Sequence, residues 1–564
     1  MDVDTSKEAR SLDQEKLPAV SADTLDLPVP ETAEVPSPGR DLRFWLVFVA
    51  LCACTLISAI DLAGVGTAAP TIVHDLQGKD FAWVSSAYTL SSAACIPLSG
   101  NVAQIFGRRP VTQVGIVVFA AGSAIAGAAP SMVILIFGRA IQGVGGGIIQ
   151  SLTAIITTDL VPLRDRGLFT GITGLMWTLG SGIAPFIAGG LSEKASWRWL
   201  FYLNLPLCGL TLAVVTLFLQ LNTPTESFRT KFFKIDWIGN AIIVTSACSC
   251  MLALIWGGIQ FPWTSYHILL PLILGISGLA FAVWYEARYA GEPTIPLIVL
   301  SNRTSISGYI ATFVSGMVTI SLGFFLPTWF QAVQGASPVV SGLHFLPWAI
   351  SISPFSILQG RLVSKQIARY RTVNLLGWCT MLLGLGLLIT LKRNTSIGLL
   401  VLYQLIMGAG GGLLYSAAFA VLAPLPVTNN AAAVALLTFL RVFAQAWGVA
   451  IGGTILQNAL KTYLPSDLLQ QYPEGAEIAY SLIPNIPMLP EPLRHEVQDA
   501  FVRGFRVLWT ATEVICAVGA LSVLFMRDVP LRTTVDKRWG LKTAGEAGAS
   551  EGTLEAAPPS KEPR

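Results

Sequence analysis

Apolar runs of about 20 residues, each long enough to cross a hydrocarbon layer about 30 Å thick, recur along almost the whole chain. Short gaps rich in Arg, Lys, Gly and Pro separate them. Inside lipid a backbone N–H or C=O finds no water, so each run is predicted to be a helix that pairs its own groups. Fourteen such helices are predicted, over 44–66, 81–103, 111–130, 132–158, 167–191, 198–220, 236–258, 266–286, 305–333, 338–360, 372–391, 397–424, 431–457 and 504–526. The gaps near 130 and 427 are the weakest separators.

Two polar ends flank this pattern. Residues 1–42 are rich in Asp, Glu, Ser and Pro and lack the basic start and apolar core of a signal peptide, so they read as a disordered tail. Residues 528–564 form a second polar tail. An even number of spans places both tails on one side. The short loops on that side carry 13 Lys and Arg residues, from Arg108 and Arg109 to Arg369 and Arg371. The opposite short loops carry five: Lys79, Lys194, Arg198, Lys392 and Arg393. The positive-inside rule therefore predicts cytoplasmic termini. The loop 458–503 then faces outward, and its partly amphipathic pattern suits the membrane surface. Asn394-Thr395-Ser396 is an outward-facing glycosylation sequon in a short loop.

The pattern also repeats. Gly100 with Arg109 after the second run is echoed by Gly360 with Arg369 after the tenth, 260 residues later. Gly143 to Gly147 in the fourth run is echoed by Gly408 to Gly412 in the twelfth, at an offset of 265. Gly189-Gly190 is echoed by Gly452-Gly453, at 263. Three echoes in the same order at a nearly constant offset predict two homologous six-helix bundles, 43–220 and 301–527, with a two-helix insertion and its flanking loops over 221–300. The expected fold is an all-α polytopic membrane protein with 14 transmembrane helices.

Composition agrees. The chain is 53% hydrophobic and 12% charged, about half the charge of a soluble domain. A net charge of +3 among 564 residues does not point to nucleic acid. The eight cysteines all fall in apolar runs and make no ligand cluster with the four histidines, so they read as packing residues. No phosphate-binding Gly-x4-Gly-Lys-Ser/Thr, Gly-x-Ser-x-Gly or His-Glu-x-x-His occurs. The expectation is a protein with no catalytic residues, metal or cofactor.

Ionisable residues at membrane depth are expensive and are functional candidates by default. Asp61 lies in the first run, Arg139 in the fourth, Arg441 in the thirteenth and Glu513 in the fourteenth. Asp61 is the leading proton or cation-substrate site; the alternative is a structural carboxylate near a helix end. Glu513 carries the same two readings. Arg139 and Arg441 either tune a carboxylate or bond backbone carbonyls between helices. Asp159, at the inner end of the fourth run, is placed to pair with Arg108 or Arg109 and latch that face. Trp83, Tyr88, Trp177, Trp329 and Trp348 suit stacking on a flat substrate, or an aromatic belt at the membrane interface.

Several longer motifs carry a family likeness. Gly100-Asn-Val-Ala-Gln104-Ile-Phe-Gly107-Arg108-Arg109 looks like the loop signature of the major facilitator superfamily, and Arg139-x-x-Gln142-Gly143-x-Gly145 like its fourth-helix signature. Gly174, followed by Gly180-Ser-Gly182-x-x-Pro185-x-x-x-Gly189-Gly190, looks like the antiporter signature of the fifth helix. Asp61 to Pro70, Trp197-Arg198-Trp199, Asn204-x-Pro206 and Phe330-Gln331-x-x-Gln334-Gly335 are similar to motifs of the fourteen-helix group. From about residue 44 to 526 the chain resembles the fourteen-helix drug:proton antiporters of that superfamily, especially the fungal ones.

That resemblance implies the major facilitator fold, alternating access around a central cavity, and monomeric export of small amphipathic molecules (drugs, toxins or secondary metabolites) against protons. It implies a role for the Asp61 and Arg139 positions in proton or substrate handling. The alternative is proton-coupled import of a siderophore or metabolite on the same fold. The plasma membrane is the default location, the vacuolar membrane the alternative. Two departures stand out. Gln104 replaces an acidic residue of the loop signature, which leaves the charge network around Arg109 incomplete. Gln445 stands where glycine is expected in the thirteenth helix.

Overall fold

The computed structural model describes residues 41–76, 82–221, 226–258, 261–291, 293–469 and 478–531. The expected tails lie outside the described residues, except 41–42 and 528–531. A helix stands at each of the fourteen predicted runs: α1 (Leu42–Leu76), α2 (Ala82–Phe106), α3 (Arg108–Gly127), α4 (Met132–Leu160), α5 (Arg166–Lys194), α6 (Arg198–Phe218, interrupted at Leu203), α7 (Trp237–Trp256) and α8 (Tyr266–Arg288), then α9 (Arg303–Gln334), α10 (Pro338–Ser364), α11 (Tyr370–Ile389), α12 (Ile397–Leu422, with a 3-10 turn at Leu414–Ser416), α13 (Asn430–Tyr463) and α14 (Leu493–Ser522). Thirteen are long and apolar enough to cross a membrane. The remaining one, α2, has 25 residues, among them Ser85, Ser86, Thr89, Ser91, Ser92 and Asn101, which lower its hydropathy.

Two helices are longer than their apolar runs. The run beginning at 504 is preceded by Val497 and Phe501, both fully buried, which continue into Phe505 and Leu508 as one stripe at helical spacing. Arg494, His495, Glu496, Asp499 and Arg503 interleave with that stripe and hide it from an average. Similarly α13 continues to Tyr463. The loop 458–503 is thereby shortened. Its described part packs on the bundle, with Ile478, Leu482 and Ile486 buried in the same core as Leu460 and Val497.

The helices pack as two matching sets. In the first, α1 contacts α5 and α6, while α4 contacts α2 and α3. In the second, α9 contacts α13 and α14, while α12 contacts α10 and α11. The sets meet along α5 with α10 and along α2 with α13, which are equivalent seams. The inserted hairpin of α7 and α8 lies beside the second seam, where α7 touches both α2 and α13.

Glycine sets the inter-helix distance, as expected where lipid supplies no hydrophobic force between helices. A Cβ added to Gly143 or Gly147 would lie 2.3 Å from the carbonyl oxygen of Tyr88 or Ser92 in α2. One added to Gly408 or Gly412 would lie 2.6 Å from that of Trp348 or 2.4 Å from that of Ile352 in α10. The predicted glycine echo is thus the same helix contact made twice.

Contacts across the seams crowd the end bearing the turns at 107, 165 and 365. A Cβ on Gly167 would lie 2.2 Å from Gly360 Cα, and one on Gly100 2.7 Å from Ala435 Cβ. Arg164 Nε donates to Ser364 O at 2.8 Å. At the far end of α5 a Cβ on Gly190 meets nothing within 4 Å.

Gly147→Ala should therefore lower stability by about 1–3 kcal/mol, the usual cost of forcing backbones apart. Gly190→Ala should leave it unchanged; thermal unfolding of the detergent-purified protein measures both.

Candidate functional site

Asp61 lies within α1, fully buried, where four helices meet. One carboxylate oxygen, Oδ2, accepts from Arg139 Nη1 of α4. The other, Oδ1, accepts from Gln142 Nε2 at 2.8 Å and from Asn204 Nδ2 of α6 at 3.0 Å. Gln142 follows Arg139 by three residues, so both point from one face of α4. Its Oε1 accepts a second bond from Arg139 Nη1, at 2.6 Å. Ser123 of α3 closes the cluster: its Oγ accepts from Gln142 Nε2 and Asn204 Nδ2, and donates to Phe201 O at 2.9 Å. α4 comes close enough for this because Gly122 faces the backbone of Gln142, where a Cβ would lie 2.3 Å from its nitrogen.

The guanidinium of Arg139 is also fully buried. Its Nε donates to Val84 O at 3.1 Å, and it lies over the Tyr88 ring, 4.5 Å from the centroid. Tyr88 is accordingly neither a belt residue nor open to a substrate. Arg139 thus pairs with a carboxylate and also bonds a backbone carbonyl of a neighbouring helix. The cluster can hold one negative charge neutralised by one positive charge, and a proton arriving on Asp61 would leave Arg139 as an uncompensated buried cation.

The second set keeps this scaffold without its ions. Gln404 of α12 stands 265 residues after Arg139, and its Nε2 donates to His344 O at 2.8 Å. His344 in turn follows Val84 by 260 residues. Gln404 thus keeps the bond to the neighbouring backbone and carries no charge.

The other predicted residues are dispersed. Gly107, at φ 97°, makes the turn between α2 and α3 in a conformation that L side chains rarely adopt. Arg108 Nε meets Asp159 Oδ2 at 2.9 Å, with both side chains buried, and its Nη1 donates to Ala103 O. Arg109 turns away and donates to Thr216 O. Asp159 therefore selects Arg108 of the two arginines. In the fifth-helix signature, Gly180 faces Leu56 O and Ala59 of α1, Gly182 faces Leu346 of α10, and Gly174 and Gly190 face open space. Gly189 is half-buried in α5, while the side chain of Pro185 lies outside the described ones. Glu513 points towards Gly386 of α11, away from the Asp61 cluster. Arg441 of α13 lies over the Tyr415 ring of α12. Asn394 is exposed in the tight turn between α11 and α12. Trp329 and Trp348 are buried, so they form no interface belt; Trp83 packs edge-on against Trp256 of α7.

Asn204 and Ser123 were not among the expected site residues. Asn204 had one sequence signal, the Asn-x-Pro motif of the resemblance; Ser123 had none.

Removing one member of a buried ion pair costs about 3–5 kcal/mol, more than removing both. Arg139→Gln should thus lower the unfolding midpoint markedly, and adding Asp61→Asn should restore most of it.

Comparison with known proteins converges with this architecture. Residues 51–453 match the family model described as Major Facilitator Superfamily. The chain is 34% identical over 540 residues to the MFS-type efflux pump LUC4 of a Fusarium species, covering 93% of this chain and 95% of the relative. It is 34% identical over 518 residues to the efflux pump FUS6 of Gibberella fujikuroi, covering 90% and 93%. An acurin A biosynthesis cluster MFS-type transporter of Aspergillus aculeatus is 34% identical over 526 residues, covering 91% and 94%. Among solved structures, the proton:xylose symporter XylE superposes with a TM-score of 0.53 at 14% identity, covering 85% of this chain and 94% of that one, which speaks for the fold alone. The chain belongs to the major facilitator superfamily, a family of membrane transporters rather than enzymes, and groups with fungal efflux transporters within it.

Proposed function

We propose that this protein exports small amphipathic molecules in exchange for protons, with Asp61 as the proton-linked carboxylate. The observation that carries this reading is the closed cluster of Asp61, Arg139, Gln142 and Asn204. In it one carboxylate and one guanidinium meet at the junction of α1, α4 and α6. A proton on Asp61 releases Arg139, and the released cation changes which charge the neighbouring cavity tolerates. The two helix sets then rock about the site. An inward membrane potential adds roughly 2.3 kcal/mol per charge per 100 mV.

One further feature supports alternating access. The halves touch closely at the basic end, through Gly167 with Gly360 and Arg164 with Ser364, whereas a Cβ on Gly190 at the far end of α5 would meet nothing within 4 Å. The Arg108–Asp159 pair at that same basic end joins α3 to α4, so it braces the first set rather than latching the two sets together. In this reading the basic end is cytoplasmic, both termini lie beside it, the protein works as a monomer, and the plasma membrane is its site. The relatives that are named efflux pumps, and the one named for a biosynthesis cluster, support export of a secondary metabolite.

Asp61→Asn should abolish uncoupler-sensitive efflux in a pump-deficient host challenged with a panel of amphipathic toxicants, at unchanged surface level. Should that variant reach the surface poorly, the charge-free pair Asp61→Asn with Arg139→Gln decides. Full coupled export by either variant removes Asp61 from the proton path. Orientation has its own test. A cysteine replacing Arg369, whose side chain is 80% exposed at the basic end, should react with an impermeant maleimide only in opened cells. The measurement uses a background with exposed Cys379 changed to Ser.

A further inference from the structure

Arg441 differs from every other arginine at membrane depth. It stands eleven residues into α13, about 17 Å along the helix from its start. Arg139 and Arg108 each meet a carboxylate. Among the described residues Arg441 has no hydrogen bond and no ion pair, and its charge meets only the ring of Tyr415, 4.8 Å from the centroid. Asp61 and Asp159 have their arginines, Glu286 accepts from the backbone N–H of Thr294 and Ile295, and Glu513 lies against Gly386 of α11 and makes no ion pair with Arg441.

The surroundings of Arg441 are partly open. Arg441, Gln445 and Tyr415 are all half-buried. Gln445 follows Arg441 by one helical turn, so the carboxamide and the guanidinium share a face of α13. Among the described residues the Gln445 amide also has no hydrogen bond. The guanidinium carbon lies 4.8 Å from the Tyr415 ring centroid, and among the described residues none of its N–H groups makes a hydrogen bond, which leaves the fork available. α13 packs on α9 and α14, while α12 packs on α10 and α11; the Arg441–Tyr415 contact bridges the two groups. The result is an uncompensated cation, an amide donor and an aromatic wall, held by the second helix set.

We propose that Arg441, Gln445 and Tyr415 form an anion-binding subsite, and that the transported molecule carries a carboxylate or other acidic group on a flat apolar body. This deepens the export reading, on which it rests for the direction of transport. A planar guanidinium fork binds a carboxylate through two parallel bonds, and an amide one turn away adds a third donor. An anion there neutralises a half-buried cation that meets no carboxylate among the described residues. Its passage to the outside also runs with a potential that is negative inside.

The test measures binding to the purified full-length protein in nanodiscs, by energy transfer from tryptophan, at one pH and with no gradient. The probes are 1-pyrenebutyrate and its uncharged analogue 1-pyrenebutanol, each corrected against empty nanodiscs. Wild type should bind the acid about tenfold or more tighter than the alcohol, the worth of a charge-assisted pair. Arg441→Gln should erase that preference and leave alcohol binding unchanged. A wild type without preference, or a preference that survives Arg441→Gln, overturns the subsite. If Arg441→Gln binds neither probe, Arg441→Lys decides: it keeps the charge and must retain a preference for the acid, and its absence there overturns the subsite too. Because no gradient is present, proton coupling does not enter the result. An intact acid preference in a protein whose efflux ignores uncouplers would fault the proton reading alone.

Discussion

Lipid tails are as apolar as leucine, so nothing in the bilayer drives one helix against another except the fit between them. In this protein that fit is made by α4. It lies against α2 through Gly143 and Gly147, and against α3 through Gly145, whose added Cβ would stand 2.3 Å from Phe119 N. With backbone against backbone, Arg139 and Gln142 need to reach only a short way to meet Asp61, Ser123 and Asn204. A bulkier α4 would hold its neighbours apart and leave the arginine without its carboxylate. An unpaired charge of that kind is among the costliest features a fold can carry.

The same helix contact recurs at α12, with α10 and α11 in the places of α2 and α3. Its chemistry does not recur. Gln404 keeps the backbone bond of Arg139 and drops the charge. The second set instead carries its arginine on α13, over Tyr415. Two halves of one shape thus hold different charges: a neutralised pair in the first, and in the second an arginine that makes no ion pair among the described residues. That division suits a transporter whose driving ion and cargo are handled by different halves, while the matching backbones let the halves move as equivalent bodies.

The seams between the sets follow the same economy. Gly167 against Gly360 and Gly100 against Ala435 bring the halves together with little side-chain bulk. Few polar bonds cross there, Arg164 to the Ser364 carbonyl being one. Contacts of this kind hold through shape and break without stranding buried charges. The charged pair nearby, Arg108 with Asp159, lies wholly within the first set, so separating the halves need not break it.

The sequence alone determined the number and order of the membrane helices. Backbone groups in lipid must be paired, and that requirement writes itself into run length and hydropathy. It also determined the repeat, because a close helix crossing demands glycine at a fixed place and the demand appears twice. Asp61 and Arg139 were legible for a related reason: charge at membrane depth is rare enough to stand out in one dimension, while Gln142 was legible only through the motif it shares with Arg139. Tertiary structure alone decided the rest. Whether Asp159 meets Arg108 or Arg109, whether Glu513 faces the cavity or α11, and whether the amphipathic start of α14 continues the helix all depend on rotation about an axis that hydropathy does not record. Ser123 is the clearest case. It is one serine among many in the chain, and its part in the cluster comes from three neighbouring helices that converge on its hydroxyl.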